Sequence, residues 1–118
     1  MYRYAIEELK KWKNKANKKP LVIEGARQVG KTWLMKEFGN KEYENTVYIN
    51  FDVETNIREL FSSDLDVNRL IKGMEIYTGT KIDSNNTLII FDEIQESPRA
   101  LASLKYFYEV APEYHIVC

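Results

Sequence analysis

The stretch that decides the fold is a glycine-rich octapeptide, Gly25-Ala26-Arg27-Gln28-Val29-Gly30-Lys31-Thr32. It matches the pattern G-x-x-x-x-G-K-[ST] at every position, which is the pattern of a phosphate-binding loop, or P-loop. In such a loop the backbone N–H groups surround an anion, and glycines allow the turns while leaving room for it. At ordinary residue frequencies a chance match is expected in well under ~1% of chains of this length. We therefore predict that this segment binds the triphosphate of a nucleotide.

The residues on either side of the loop have the secondary structure that the motif requires. Leu21-Val22-Ile23 is a short apolar run before the loop and predicts a buried strand. Trp33 and Phe38 continue a helix that begins at Lys31, and we expect Gly39 to end it. The exposed N–H groups and the dipole at the N-terminus of this helix favour a bound anion.

Two residues at the end of the loop have individual roles in this prediction. Lys31 reaches the β- and γ-phosphates as a mobile positive charge, so we count it among the catalytic residues, and Thr32 offers its hydroxyl to Mg²⁺. The residues predicted to contact the nucleotide are Gly25, Ala26, Arg27, Gln28, Val29, Gly30, Lys31, Thr32 and Trp33.

A second motif, Leu88-Ile89-Ile90-Phe91-Asp92-Glu93, is an apolar strand that ends in two carboxylates. Ligands of open α/β sheets bind at the carboxyl ends of the strands, which is where these two acids lie. We predict that Asp92 holds Mg²⁺ opposite Thr32, and that Glu93 orients and deprotonates the attacking water. Two acids after a strand are a weak signal alone, and the other interpretation of Glu93 is a helix-capping or surface acid.

The rest of the chain alternates between predicted helices and strands. In order, these are a helix over 3–16, a strand over 46–51, a short helix capped by Asn56 and Glu59, a longer helix ended by Gly79, a turn at 83–86, a helix from Ser97-Pro98 to Pro112, and a strand over 114–117. Such alternation predicts an α/β fold with a parallel sheet covered on both faces.

Composition sets limits on the class of protein. The chain has 118 residues, 44% hydrophobic and 30% charged, which fits one globular domain without a membrane span or a secretory signal. A net charge of −1 does not support nucleic-acid binding. The Lys-rich run between positions 10 and 19 is interpreted as a solvated helix face and linker, with contact to an anionic partner as the alternative. A single cysteine, Cys118, excludes an internal disulfide and favours a cytoplasmic location.

Some residues invite a functional interpretation that we weigh against packing. His115 has no Cys or His partner at metal-binding spacing and is expected to be a packed histidine. Tyr2, Tyr4 or Trp12 could flank the adenine ring, but aromatic residues at this spacing more often form the core. Asp52 follows the second strand at the edge of the expected site, where a turn role is equally consistent with the sequence.

Several stretches together resemble one AAA+-like group of P-loop ATPases. They are 25–38, Tyr48-Ile49-Asn50-Phe51-Asp52, Phe91-Asp92-Glu93-Ile94-Gln95 and Leu104-Lys105-Tyr106-Phe107. In bacteria and archaea this group carries an ATPase domain followed by a nuclease-like C-terminal domain of unknown function. The resemblance implies a three-layer P-loop fold of the additional-strand type, with sheet order 5-1-4-3-2. It also implies ATP and Mg²⁺ as ligands, with Lys31 and Thr32 at phosphate and metal, Asp92 at the metal and Glu93 as base.

The resemblance covers essentially the whole chain, so residues 1–118 are expected to form a P-loop ATPase domain that is truncated after the fourth strand. Residues 1–19 would be its N-terminal helix and Lys-rich linker. Family members continue into a sensor residue, a fifth strand and a helical lid, so we expect hydrolysis by this chain alone to be weak. The fourth strand, 114–118, is expected to lie centrally between the P-loop strand and the Asp92 strand. Gln95 and Arg27 match the family pattern without an assigned role.

The leading functional hypothesis is Mg-dependent ATP hydrolysis that drives or switches a longer protein. The absence of an Asn-Lys-x-Asp guanine signature favours ATP over GTP. The alternative is a regulatory module that binds nucleotide without turnover. A nucleotide kinase is less favoured, because nothing between 33 and 87 resembles an arginine-bearing lid. The oligomeric state is not predicted.

Overall fold

The computed structural model describes residues 2–15, 19–23 and 29–118, so Gly25, Ala26, Arg27 and Gln28 lie outside the described residues. The helices and strands are α1 (Tyr2–Lys13), α2 (Val29–Glu42), β1 (Asn45–Asn50), α3 (Thr55–Leu60), α4 (Val67–Thr78), β2 (Thr87–Asp92), a 3₁₀ turn (Ile94–Glu96), α5 (Pro98–Val110) and β3 (His115–Val117). Helices and strands alternate along these ranges, as the sequence predicts.

The three strands form a parallel sheet in the order β1-β2-β3. Segment 21–23 continues this sheet beyond β3, because Leu21 forms a parallel bridge with Val117. The Leu21 N–H donates to the carbonyl of Ile116 at 2.9 Å, and the Ile23 N–H donates to that of Cys118 at 2.6 Å. β3 therefore lies between segment 21–23 and β2, and all these strands point their carboxyl ends to one edge.

Each face of the sheet is covered by helices, which gives three layers. β2 is buried along its whole length, as expected for a central strand between two layers. Leu88 and Ile90 pack with α1 and α2 on one face, whereas Ile89 and Phe91 pack with α3, α4 and α5 on the other. The alternation follows from the two-residue period of a strand. Because helices pack on both of its faces, β2 and its last residue, Asp92, are held at the centre of the molecule.

Several predicted boundaries are confirmed. Gly79 ends α4 in the left-handed conformation, with φ 71°. Ser97 caps α5, with its side chain accepting from the N–H of Ala100, and Pro98 is the first helical residue. His115 is a packed histidine, since the Tyr43 hydroxyl lies 2.6 Å from its Nδ1.

Other local predictions are wrong. Gly39 does not end α2, which continues to Glu42, and Gly39 is instead buried against β1. The expected capping box at Asn56 is absent, because the helix begins at Thr55 and its N-cap Glu54 makes no side-chain cap hydrogen bond. Val22 is 51% exposed, so segment 21–23 is not buried on both faces.

The first helix is shorter than predicted and part of its Lys run is paired rather than only solvated. α1 ends at Lys13. The ammonium groups of Lys10 and Lys13 lie 3.6 and 3.8 Å from the carboxylate of Glu42. These contacts tie α1 to the end of α2.

Candidate functional site

Asp92 is the centre of a hydrogen-bonded cluster at the carboxyl edge of the sheet. It is the last residue of β2 and only 3% exposed. Its Oδ2 accepts hydrogen bonds from the Thr32 hydroxyl at 2.7 Å and from the Tyr48 hydroxyl at 2.6 Å, and its Oδ1 accepts from the Glu93 N–H at 3.0 Å. The fold thus brings together Thr32 and Asp92, the two residues predicted to hold a metal, although they are 60 positions apart in the chain.

Among residues 2–15, 19–23 and 29–118, no neighbouring cation balances the charge of this carboxylate. All three donors to Asp92 are neutral, being two hydroxyls and a peptide N–H. Among the described residues, no Lys, Arg or His nitrogen lies within 4.0 Å of its oxygens. Burying a carboxylate is costly unless an opposite charge or a metal accompanies it. The cluster therefore has the electrostatic character of a cation site.

The oxygen donors also fit a magnesium ion. Thr32 and Asp92 offer a hydroxyl and a carboxylate, which are ligands that this hard cation prefers. Within the part of the chain that the structure describes, no group of three or more His, Cys, Asp or Glu residues could hold a metal. Two protein oxygens suffice, however, where phosphates and waters complete the shell, as they do for magnesium at nucleotide sites.

Glu93 has an unusual backbone conformation. Its φ of 53° and ψ of 42° lie in the left-handed region, and it is the one non-glycine residue with positive φ among residues 2–15, 19–23 and 29–118. This conformation costs a side-chain-bearing residue roughly 1–2 kcal/mol. It is held by the Glu96 N–H, which donates to the Glu93 carbonyl at 3.0 Å. The Gln95 side-chain amide donates to the Glu93 carboxylate, so Gln95 contacts the predicted base directly.

Lys31 and Thr32 occupy the first turn of α2, next to Gly30, which is exposed. Backbone N–H groups in this turn are free of intrahelical partners and favour an anion. Burial raises the pKa of the Cys118 thiol to about 11, and the positive charge of Lys31 opposes this effect. Lys31 lies next to Thr32, whose hydroxyl contacts Asp92, and therefore belongs to the same edge of the sheet.

An open cleft of about 440 Å³ lies in front of these groups. The described residues that line it are Thr32, Trp33, Lys36, Tyr48, Asn50, Asp92 and Glu93. The cleft is therefore lined by four of the residues that the sequence predicts for the site, namely Thr32, Trp33, Asp92 and Glu93. Asp52 does not line it, and is an exposed residue in the turn after β1.

Sequence reasoning missed Tyr48, Asn50 and Lys36. Burial, together with the hydrogen bond to Asp92, raises the pKa of Tyr48 to about 12, so its hydroxyl stays a donor at neutral pH. The Lys36 ammonium lies 4.0 Å from the centre of the Tyr48 ring, within range of a cation–π interaction. The sequence did contain a signal, because Tyr48 and Asn50 are two residues apart and so lie on the same face of β1, near its carboxyl end.

A second cavity, of about 450 Å³, lies between α1, segment 21–23 and α2. Its lining is mainly apolar and consists of Ala5, Glu8, Leu9, Lys11, Trp12, Lys15, Leu21, Ile23 and Leu34. Trp12, one of the candidates for flanking a base, contributes to this lining but is only 6% exposed, and its indole N–H donates to the Lys19 carbonyl at 2.7 Å. The side chains of Tyr2 and Tyr4 lie outside the described residues.

Comparison with known proteins gives a family assignment. A family model described as an AAA domain matches residues 17–118. No curated protein and no solved structure matches the chain. Within the described ranges, every helix is too short or too polar to cross a bilayer. On the family match, which spans the P-loop motif, the Asp92 strand and β3, the chain belongs to the AAA domain family of AAA-type ATPases.

Proposed function

We propose that this protein binds Mg-ATP at the carboxyl edge of the sheet and hydrolyses it. The observation that carries the proposal is the contact between Thr32 and the buried Asp92 carboxylate, whose charge no described cation balances. The glycine-rich motif preceding α2 and the free N–H groups of the first turn of that helix supply the complementary anion site. Cation and polyphosphate sites thus lie side by side, as a metal–nucleotide complex requires.

Each residue of the cluster has a separate task in this proposal. A magnesium ion held by Thr32 and Asp92 would supply positive charge that offsets the negative charge of the phosphates. Thr32 would offer an oxygen lone pair to the ion, and its proton stays on Oγ1, which donates to Asp92 Oδ2 in the structure. Lys31 places its charge on the β- and γ-phosphates. Glu93 orients a water and takes its proton, while the Gln95 amide holds one of its carboxylate oxygens.

We place the base of the nucleotide in the cavity between α1 and α2. Support comes from its lining, since Ile23 belongs to the segment before the phosphate loop and Leu34 lies on α2, one turn after Lys31. An apolar cavity suits the faces of a purine ring. The preference for adenine over guanine stays part of the proposal.

The remaining architecture is proposed from the family resemblance. Segment 21–23, β3, β2 and β1 lie side by side in that order, which supports the proposed arrangement 5-1-4-3-2 with a further strand beside segment 21–23. Residues 1–118 then form an ATPase domain whose helix and linker precede the phosphate loop. We propose that it acts in the cytoplasm as the motor or switch of a longer protein with a nuclease-like C-terminal domain.

The Glu93→Gln variant tests hydrolysis against simple binding. If Glu93 is the base, the variant should retain ATP after a long incubation with stoichiometric Mg-ATP, whereas the unsubstituted chain, even with weak hydrolysis, should retain ADP. Chromatography of the bound nucleotide measures this. The matched control is Glu96→Gln, which makes the same change at an exposed acid on the same turn. ATP in all three proteins would refute hydrolysis and favour the regulatory module, whereas ADP in all three would refute Glu93 as the base.

The position of the base is tested by filling the cavity. Ala5→Phe should reduce ATP affinity to that of inorganic tripolyphosphate, because it blocks the base and leaves the phosphate site unchanged. Glu7→Phe introduces the same side chain at a residue of α1 that does not line the cavity. Calorimetry with both ligands measures the affinities. ATP binding that is undiminished in Ala5→Phe would place the base elsewhere.

A further inference from the structure

Tyr48 makes the second side-chain hydrogen bond to the predicted magnesium ligand. Its hydroxyl lies 2.6 Å from Asp92 Oδ2, the same oxygen that accepts from Thr32 at 2.7 Å. The two residues approach from different elements, Tyr48 from β1 and Thr32 from α2. Together they fix the plane of the Asp92 carboxylate.

The Tyr48 side chain is itself held in place. β1 pairs with β2 along its length, with Tyr48 opposite Ile90 and Asn50 opposite Asp92. The Asn50 amide donates to the Tyr48 oxygen at 3.4 Å, and Lys36 lies over the ring. A phenol on a paired strand, with its ring covered on one side, delivers its hydroxyl with little rotational freedom.

A bound cation would affect the hydrogen bonds that Thr32 and Tyr48 donate to Asp92 Oδ2 in different ways. Thr32 must turn a lone pair to the ion, so its hydrogen bond to Asp92 has to adjust when the ion binds. Tyr48 has no predicted role as a ligand and can keep its position. Hydrogen bonds to metal-ligating carboxylates orient them, and loss of such a partner typically costs 10–100-fold in metal affinity or activity, on the order of 1–3 kcal/mol.

We propose that Tyr48 is the positioning residue for Asp92, holding its carboxylate in the orientation that accepts the magnesium ion of a bound nucleotide. This inference rests on the proposed function. Nothing in the phosphate-loop or acidic motifs assigns such a role to Tyr48. The interaction links β1, which carries neither motif, to the chemistry of the site.

The test compares nucleotide binding with and without magnesium. Calorimetry with a non-hydrolysable ATP analogue should show that Tyr48→Phe binds about 10-fold more weakly than the unsubstituted chain when magnesium is present. In EDTA the two proteins should bind the analogue equally. Tyr106→Phe, a change at an exposed tyrosine of α5, is the matched control and should behave as the unsubstituted chain. In an Asp92→Asn background, Tyr48→Phe should cause no additional loss.

The outcomes separate this inference from the proposed function. If the unsubstituted chain binds no nucleotide, both are overturned. If it binds and Tyr48→Phe binds equally well with magnesium, or loses as much affinity in EDTA, the role of Tyr48 alone is overturned. Should Tyr48→Phe fail to fold, NMR can instead measure how fast the Tyr48 hydroxyl proton of the unsubstituted chain exchanges with solvent. It should stay protected from exchange when magnesium and analogue are bound, and rapid exchange in that state would refute the inference.

Discussion

Gly39 provides a test of the packing that supports the site. This residue lies inside α2, where it contacts β1. A Cβ added there would lie 2.5 Å from Thr46 Oγ1, 3.0 Å from Thr46 Cγ2 and 3.3 Å from Leu88 Cδ2. Both branches of the Thr46 side chain are close, so rotating one away brings the other nearer. We expect Gly39→Ala to push α2 away from the sheet.

Two opposing effects set the magnitude. Alanine is favoured over glycine inside a helix by about 1 kcal/mol. Overpacking a close contact typically costs about 1–3 kcal/mol. The distances to Thr46 are below any ordinary contact, so the clash should exceed the gain, and Gly39→Ala should destabilise the fold by about 1–2 kcal/mol. For a chain of this size that is a fall in Tm on the order of 5 °C.

Urea denaturation followed by tryptophan fluorescence measures the effect. The matched background is Thr46→Ala, which removes both clashing atoms and leaves only the contact to Leu88. There the same Gly39→Ala change should be neutral or stabilise by up to about 1 kcal/mol, because only the helix preference remains. A gain in stability from Gly39→Ala alone would refute the close approach of α2 and β1.

Further expectations concern the Glu93 contact and the aromatic cluster around His115. Gln95→Met keeps the length of the side chain without a charge and removes the donor to Glu93, so ATP turnover should fall about 10-fold in steady-state assays while ATP affinity measured by calorimetry stays unchanged. Tyr43→Phe removes the hydroxyl that is hydrogen-bonded to His115 Nδ1 and should lower the free energy of unfolding by about 1–2 kcal/mol in urea titrations. Burial, and then the charge of Glu42, raise the pKa of Tyr43 above its ordinary 10.0. The folded state thus favours the protonated phenol, so the associated stability is complete below pH 10 and is lost as the pH rises further. That alkaline loss should be smaller in Tyr43→Phe than in the unsubstituted chain, and equal losses would contradict the assignment.

The meeting of Thr32 with Asp92 could be expected from the sequence because each lies at a position that the sheet determines. Asp92 ends an apolar strand, and Thr32 begins the helix that follows another strand of the same sheet. Parallel strands bring their carboxyl ends together, so local patterns are enough to predict proximity. The geometry of segment 24–28 lies outside the described residues, and the binding roles there stay predictions.

Gly39 and Asn56 show where local rules fail. Glycine after a periodic helical segment usually marks its end, but here it is the small residue that lets α2 approach Thr46. That contact depends on the tertiary packing of two elements and has no signature in the neighbouring sequence. At Asn56 the short helix begins one residue earlier, at Thr55, which moves the asparagine into its first turn. A four-residue pattern alone does not fix the start of a six-residue helix.

Asp92 and Glu93 are adjacent in the chain but differ in backbone conformation, since Asp92 ends a regular strand and Glu93 is left-handed. Asp92 is buried at the end of a regular strand, so its position follows from the sheet, and its described hydrogen-bond donors are two hydroxyls and a peptide N–H. Glu93 itself adopts the left-handed conformation and so leaves the strand. Its side chain lines the open cleft instead of taking the next position of the strand. Extending β2 by one regular residue would direct the two carboxylates to opposite faces of the sheet, because successive strand side chains alternate. The strained backbone at Glu93 therefore allows the neighbouring acids to line one cleft, and it costs roughly 1–2 kcal/mol that the packed strand on one side and the capped helix on the other must offset.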